Sequence, residues 1–302
     1  MNLEDYARSL LAQPSRARSL IVTFFGDVVS VQPARAWLGS LISVMGNLGL
    51  SEHLVRTACN RLAREGWLQS LRLGRRSYYH FSDYGARQYR RAAYRIYAPR
   101  KPEWDGYWTV VLTRALDAPR RAELERQLGW LGFGRAGPDT LVRAGFGEDH
   151  RAVTAELGVE VPIFRAQTRD LGKAEFELCR EAWAVDSLKR SYGQFVGRYA
   201  HLVGEPAPAP CTSLQLRLML IHDYRRIVLT DPELPSDLLP VDWPGDRARE
   251  LAAELYHRWL PVSDAWLADR LQLEEGDWPA MSPAAQSRFR DVTWTRRLVA
   301  LA

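Results

Sequence analysis

Apolar positions along this chain fall into several distinct rhythms. Residues 17–29, ARSLIVTFFGDVV, are almost continuously apolar, which predicts a helix buried on all sides. After Pro33, residues 34–47 (ARAWLGSLISVMGN) carry Trp37, Leu38, Leu41, Ile42, Val44 and Met45 at helical intervals, a second helix. Asn47 to Leu50 form a glycine-containing turn, and Ser51 can cap a third helix with Glu52 favourable in its first turn. There Val55, Ala58, Cys59 and Leu62 share a core-facing stripe, whereas His53, Arg56, Thr57, Asn60, Arg61 and Arg64 fall on the other side. Gly66 ends that helix, and WLQSLRL and SYYHF read as two short strands around Gly74-Arg75-Arg76. Strand alternation makes at least one of Tyr78 and Tyr79 a core residue. A further helix, YGARQYRRAAYRIY, runs from Tyr84 to Tyr97.

Pro99-Arg100-Lys101-Pro102 breaks the pattern as a linker. YWTVVLT then reads as a strand, RRAELERQLGWLGFG as a helix entering a glycine turn, DTLVRAG as a strand, and residues 160–167 as another. With a second helix between the last two strands this is a small α+β domain. From about residue 172 the rhythm is helical: KAEFELCREAW, then VDSLKRSYGQFVGRYAHLV, a proline-rich connection at 204–210, and TSLQLRLMLIHDYRRIVLTDP as the longest apolar helix. DRARELAAELYHRWL, with WLADRL beyond it, completes a bundle.

The length of 302 residues predicts two or three domains, and 46% hydrophobic residues suffice for packed cores. No apolar run reaches eighteen residues, and the first nineteen residues lack the apolar stretch of a secretory signal. Cys59, Cys179 and Cys211 lie far apart without pairing or metal spacing, as expected of reduced core thiols in a cytoplasmic protein. The net charge of +5 is unevenly placed. Residues 1–100 hold fifteen arginines against six acids, a balance of +9, while the other 202 residues sum to −4. Such segregation is the electrostatic footprint of a nucleic-acid-binding module joined to something else.

The basic residues concentrate on the third helix and the hairpin. Arg56, Asn60 and Arg64 are four apart and form one ridge. Arginine and asparagine match guanine and adenine edges in the major groove. Helix plus hairpin, both basic, define a winged helix-turn-helix whose third helix enters the major groove while the hairpin tip meets backbone phosphate or the minor groove. Double-stranded DNA is the expected partner. Arg56, Thr57, Asn60 and Arg61 are assigned to bases; Arg64, Arg72, Arg75 and Arg76 to backbone; Ser51, His53 and Ser77 flank them. No G-x-S-x-G or GxxxxGK[ST] motif occurs, and His222-Asp223 lacks partner ligands at metal spacing, so neither an enzyme nor a resident cofactor or metal is expected.

SLIVTFFGDVVS, WLGSLI, LSEHLVRTACNRLAREGWLQ and LGRRSYYHFSDYG, followed by RIYAP, WDGYWTVVL and HDYRRIVLTDPELPSDLLPVDWPG, resemble the PaaX family of transcriptional regulators over nearly the whole chain. The resemblance implies a repressor of phenylacetate-degradation genes, released from its operator by phenylacetyl-coenzyme A. It also implies a homodimer of multidomain α+β build. Residues 1–98 would form the winged helix with its following helix, 99–171 a ferredoxin-like domain, and 172–302 a helical effector and dimer domain. An acyl-coenzyme A effector needs an apolar pocket for its aromatic group and arginines for its phosphates. His222, Tyr224, Arg225 and Arg226 of HDYRR, with Trp183, Tyr192 and Trp243 as apolar walls, are the candidates, Arg225 and Arg226 for the phosphates. One alternative is a metal-dependent nuclease using the central domain, as CRISPR-associated relatives of that fold do. They ligate metal through an aspartate ending the first strand, whereas here Asp105 precedes the strand and Thr-Arg ends it. Another alternative is a regulator of the same build responding to a different acyl-coenzyme A.

Overall fold

The computed structural model describes residues 2–12, 17–31, 35–97, 104–145, 149–168, 171–274, 276, 278 and 282–290. It is a mixed helix-and-sheet protein with two small antiparallel sheets. The expected linker at 99–102 lies outside the described residues. The chain divides into two compact units, one from Met1–Pro99, Phe195–Leu229 and Arg247–Ala302, the other from Arg100–Gln194 and Thr230–Asp246. These cross the three consecutive segments read from the sequence. Much of the helical C-terminal third packs with the N-terminal segment.

The first unit opens with α1 (Leu3–Leu11) and α2 (Ala17–Asp27), then β1 (Ala36–Trp37), α3 (Leu38–Gly46), α4 (Glu52–Arg64), β2 (Leu68–Leu73), β3 (Arg76–Phe81) and α5 (Asp83–Tyr97). Leu20, Ile21, Phe24 and Phe25 of α2 are fully buried, each contributing roughly 1.5–3 kcal/mol by burial. A helix apolar on every side needs cover from two directions. Here α4 supplies one, and α10 (Pro210–Val228) the other. Ser51 caps α4, its hydroxyl accepting from the Leu54 amide at 3.4 Å. Val55, Cys59 and Leu62 are fully buried and Ala58 nearly so, as the stripe predicts. The second predicted helix, 34–47, is corrected at its start. Ala36 and Trp37 form a strand against β3, in register with Tyr79 and Tyr78, because the free edge of β3 offers backbone partners that a first helical turn lacks. The sheet order is β1-β3-β2, and as its central strand β3 buries both Tyr78 and Tyr79.

The second unit runs β4 (Tyr107–Leu112), α6 (Ala118–Gly129), β5 (Gly134–Gly137), β6 (Thr140–Ala144), α7 (Asp149–Leu157), β7 (Ile163–Gln167), α8 (Lys173–Trp183) and the first part of α9 (Val185–Tyr199). This is a β-α-β-β-α-β order with strands arranged β5-β6-β4-β7, every pair antiparallel. β5 occupies the glycine stretch read as a turn. Its GRAG sequence has no strand propensity of its own, and it exists because β6 pairs with it. One core of this unit gathers Trp108, Trp183, Leu234 and Leu238; another gathers Val111, Leu124, Leu128 and Phe133.

The chain then returns to the first unit through the end of α9, α10 (Pro210–Val228), most of α11 (Gly245–Ala268) and α12 (Pro283–Gln286). Among the described residues the longest helix is α11, with 24 residues against 19 for α10, the segment the sequence reading took as longest. The two segments read as separate join through Pro261, whose flanks Leu260, Ser263 and Leu267 are all buried. Cys59 and Cys179 are buried, and burial pushes the Cys59 thiol up to about 12, but Cys211 at the start of α10 is half-exposed rather than a core thiol. No helix among the described residues is long and apolar enough to cross a membrane.

Candidate nucleic-acid interface

The predicted ridge of α4 is exposed as expected: Ser51, His53, Arg56, Thr57, Asn60, Arg61 and Arg64 all face solvent. Two of its arginines are held by acids one turn away. Arg56 Nε donates to Glu52 Oε1 at 2.7 Å and Arg61 Nε to Glu65 Oε1 at 2.8 Å, while Arg18 of α2 also binds Glu65. The hydrogen bonds from Arg61 and Arg18 hold the Glu65 carboxyl below its usual range. Exposed pairs of this kind are weak, so either guanidinium can exchange its acid for a stronger anion. Asn60 accepts from the Tyr79 hydroxyl at 3.2 Å, which orients its amide and ties α4 to β3. Sequence reading placed Tyr79 in the core but missed this bond, because the hydroxyl tip of a buried tyrosine is where its polarity resides.

The hairpin is tight. Leu73 pairs with Arg76, leaving Gly74 and Arg75 as a two-residue turn. Gly74 has φ +60°, the backbone a glycine-first hairpin turn requires. Arg72 and Arg75 are exposed, with Arg72 donating to the Gly74 carbonyl at 3.3 Å, and Ser77 is half-buried opposite Arg72. Arg76 differs from its neighbours. Its guanidinium lies over the Trp37 ring, 4.5 Å from the centroid, and donates to Gln272 at 3.3 Å. Gln272 belongs to a segment that borders the sheet: Trp37 N–H donates to the Gln272 carbonyl at 2.9 Å, Leu273 bridges Ala36, and Arg35 clasps Glu274 through both carboxylate oxygens at 2.5 and 2.7 Å. The residues following α11 thus grip the hairpin sheet along its β1 edge. Nothing in their sequence marks them as strand partners.

Beneath this surface lies a charged network. Asp27, at the end of α2, accepts from Arg288 at 2.8 Å and from the Tyr97 hydroxyl at 2.9 Å. Arg217 Nε stands 2.8 Å from the second Asp27 oxygen, close enough for a Coulombic contact but poorly angled for a hydrogen bond. Arg217 also binds Asp264 at 2.5 Å and Ser263 at 3.0 Å, and Arg288 bonds Tyr256, Tyr89 and the Gly26 carbonyl. Two acids face two arginines in a buried setting, with α2, α5, α10 and α11 all contributing.

The seven expected effector residues fall in both units. Trp183, Tyr192 and Trp243 belong to the second, where Trp243 packs on the core containing Trp183 and Tyr192 meets Trp243 edge-on at 5.5 Å. The Trp183 indole donates to the Gly132 carbonyl and the Tyr192 hydroxyl to Asp231. His222, Tyr224, Arg225 and Arg226 belong to the first unit. Tyr224 packs against Phe195 and Phe289; His222 Nδ1 lies 3.1 Å from the Thr23 hydroxyl; Arg225 reaches Ser19 at 3.0 Å. His222 and Arg225 therefore join α10 to α2, and only Arg226 is exposed. Consecutive helical residues diverge by about 100°, so Arg225 and Arg226 do not point together. Asp105, of the nuclease alternative, accepts from the amide of Tyr107 at 3.0 Å. Among the described residues no cluster of three or more His, Cys, Asp or Glu could hold a metal ion.

Burial, then the neighbouring Arg225, push His222 down to about 4, from an ordinary value of 6.5. Between those values the unfolded chain holds a proton that the folded chain refuses. Stability should therefore be full above 6.5 and fall as pH drops toward about 4, by on the order of 3 kcal/mol at the limit. Urea midpoints measured across that window should decline for the native chain and flatten in His222→Gln. Equal declines would assign the acid sensitivity to other groups.

Fold and interface define an α+β protein whose basic helix and hairpin share one unit, and comparison with known proteins supplies its family. The family description "PaaX-like protein" matches residues 16–85, and "PaaX-like protein C-terminal domain" matches residues 183–269. A curated relative, Transcriptional repressor PaaX of Escherichia coli strain K12, is 36% identical over 291 residues, spanning 92% of this chain and 91% of that protein. The chain belongs to the PaaX family. Among solved structures, the uncharacterized protein Rv0674 from Mycobacterium tuberculosis superposes with a TM-score of 0.57 at 23% identity, covering 82% of this chain and 97% of that one, a likeness of fold.

Proposed function

We propose that this chain is a DNA-binding transcriptional repressor of phenylacetate-catabolic genes, released from its operator by phenylacetyl-coenzyme A and acting as a cytoplasmic homodimer. The observation carrying this reading is the α4 ridge, exposed along its length and bonded through Asn60 to the strand that returns from an arginine-tipped hairpin. Kinship with a protein named a transcriptional repressor supports it. Three helices with a β1-β3-β2 sheet support the winged-helix reading, and the β5-β6-β4-β7 order with two helices supports the ferredoxin-like one. Within two compact units we keep three functional segments: a reader at 1–98, a coupling module at 99–171 and a helical effector and dimer segment at 172–302.

In this reading Arg56 and Asn60 read base edges, with Thr57 and Arg61 beside them. Arg64, Arg72 and Arg75 hold phosphates, flanked by Ser51, His53 and Ser77. Arg76 steadies the hairpin root through Trp37 before it touches DNA. Trp183, Tyr192 and Trp243, all of the second unit, supply apolar walls for the effector. In the first unit His222 and Arg225 tie α10 to α2, against which α4 packs, and Arg226 stands exposed beside them. Release needs a coupling of only about 1–3 kcal/mol between the two ligands.

The test is a titration of the operator complex with a panel of acyl-coenzyme A thioesters and the corresponding free acids. Phenylacetyl-coenzyme A should dissociate the complex and phenylacetate should not; a complex indifferent to every thioester would refute the effector assignment. In the same mobility-shift assay Arg56→Ala should weaken operator binding by about 1–3 kcal/mol, roughly 5- to 150-fold, and relax preference at one base pair. Arg75→Ala should weaken operator and unrelated duplex alike. Normal operator binding by Arg56→Ala would remove it from base recognition.

A further inference from the structure

Helix α5 carries two opposed faces. Gly85, Tyr89, Ile96 and Tyr97 anchor it inward, Tyr89 stacking on Phe81 at 5.3 Å and bonding Arg288. The outward face presents Tyr84, Arg87, Arg90, Arg91 and Tyr94, all exposed, with Tyr94 at 65%. Its only acid is Asp83, the first residue. Arg95, further round the helix, is turned aside to the Leu229 carbonyl and is not part of this face.

Several other helical arginines are matched with acids one turn away: Arg56 with Glu52, Arg61 with Glu65, Arg126 with Glu123, Arg180 with Glu177, Arg247 with Glu250. Arg87, Arg90 and Arg91 have no ion-pair or hydrogen-bond partner among the described residues. Arg87 stands three and four residues before the other two, spacings at which like charges on a helix face repel. A ridge of unneutralised like charge is destabilising until an anion arrives. Tyrosine hydroxyls at both ends add donors suited to phosphate oxygens. The ridge rises about 15 Å from Tyr84 to Tyr94, a span that several consecutive phosphates of a duplex occupy. It also begins where the α4 ridge stops: Tyr84 packs edge-on against Trp67 at 5.9 Å, three residues past Arg64.

We propose that the outward face of α5 is a second DNA-backbone contact surface, taking phosphates of a duplex beyond the stretch read by α4. This rests on the DNA-binding reading above and extends its footprint to a helix with no role in base recognition. Contacts of this kind raise affinity for any sequence alike.

The experiment uses the full chain and a mixed-sequence duplex labelled at one end, with binding measured by anisotropy over a range of salt concentrations. The triple variant Arg87→Gln, Arg90→Gln, Arg91→Gln should lower the slope of log affinity against log salt by about two to three, and the corresponding triple lysine variant should restore it. The lysine variant should keep the native thermal midpoint and the glutamine variant should match or slightly exceed it, since all three residues are exposed and only glutamine removes their repulsion. A native slope in the glutamine variant, with Arg75→Ala lowering it by about one, would overturn the α5 surface while leaving the DNA-binding reading intact. A native chain that binds no duplex would overturn both. A glutamine variant with a native slope that no longer binds coenzyme A by calorimetry would overturn the proposal and reassign the ridge to the effector.

Discussion

Asp27→Ala is expected to destabilise the chain by about 3–5 kcal/mol, because it leaves two buried guanidinium groups facing each other without their shared anion. Arg217 and Asp27 are almost completely shielded from solvent, and Arg288 is 8% exposed. Neither arginine can escape by losing its proton. Asp264 remains to hold Arg217, but Arg288 would keep only neutral acceptors, the Gly26 carbonyl and the Tyr89 and Tyr256 hydroxyls among them. Thermal unfolding would show the loss as a midpoint lowered by at least about 6 °C. Asp27→Asn, which keeps shape and one acceptor, should sit between alanine and the native residue. A midpoint within a degree or two of native for Asp27→Ala would mean that the network is solvated. Since α2, α5, α10 and α11 meet at this carboxylate, the same variant should also weaken DNA binding at temperatures where it remains folded.

The two charges at the centre of that network lie in runs that the sequence reading took only as apolar helices. Asp27 interrupts the apolar run of α2, and Arg217 sits inside LQLRLMLI. A lone charge within an apolar helix implies a buried partner. Which partner was not legible, because the residues lie 190 apart and Arg288 further still. Helix α4 was legible for the opposite reason: its cap, its apolar stripe and its charged ridge are all local. The hairpin announced itself through Gly74. β1 and β5 were missed because two residues of AW and four of GRAG have no intrinsic strand signal, only a neighbour's free edge. The same blindness hid residues 272–274, whose role is set by β1 rather than by their own composition. It also misled the reading of HDYRR: adjacency in sequence suggested joint action by Arg225 and Arg226, whereas helical geometry sends one inward to Ser19 and the other to solvent.

Gly85→Val is expected to be nearly as damaging as the loss of Asp27, through backbone contact rather than charge. Any Cβ at this position would fall on the Trp67 carbonyl oxygen, 3.0 Å from its carbonyl carbon and 3.2 Å from the Phe81 ring. That oxygen is already committed, accepting from the Ser82 amide at 3.1 Å and from its hydroxyl, which in turn accepts from the Gly85 amide at 3.0 Å. The start of α5 is thereby fastened to the turn between α4 and β2. A flexible side chain can move aside, but a carbonyl held in such a junction cannot without moving the turn. The cost should approach the upper end of overpacking, about 3 kcal/mol, with Gly85→Ala less severe. Its functional consequence is specific. Displacing α5 from Trp67 shifts the charged faces of α4 and α5 relative to each other, so DNA affinity should fall further than the midpoint alone accounts for. Gly46, on α3, offers a control: a Cβ there meets nothing within 4 Å, so Gly46→Ala should leave both midpoint and mobility shift near native. If Gly85→Val unfolds at the native midpoint and binds duplex normally, then α5 is not seated on that turn.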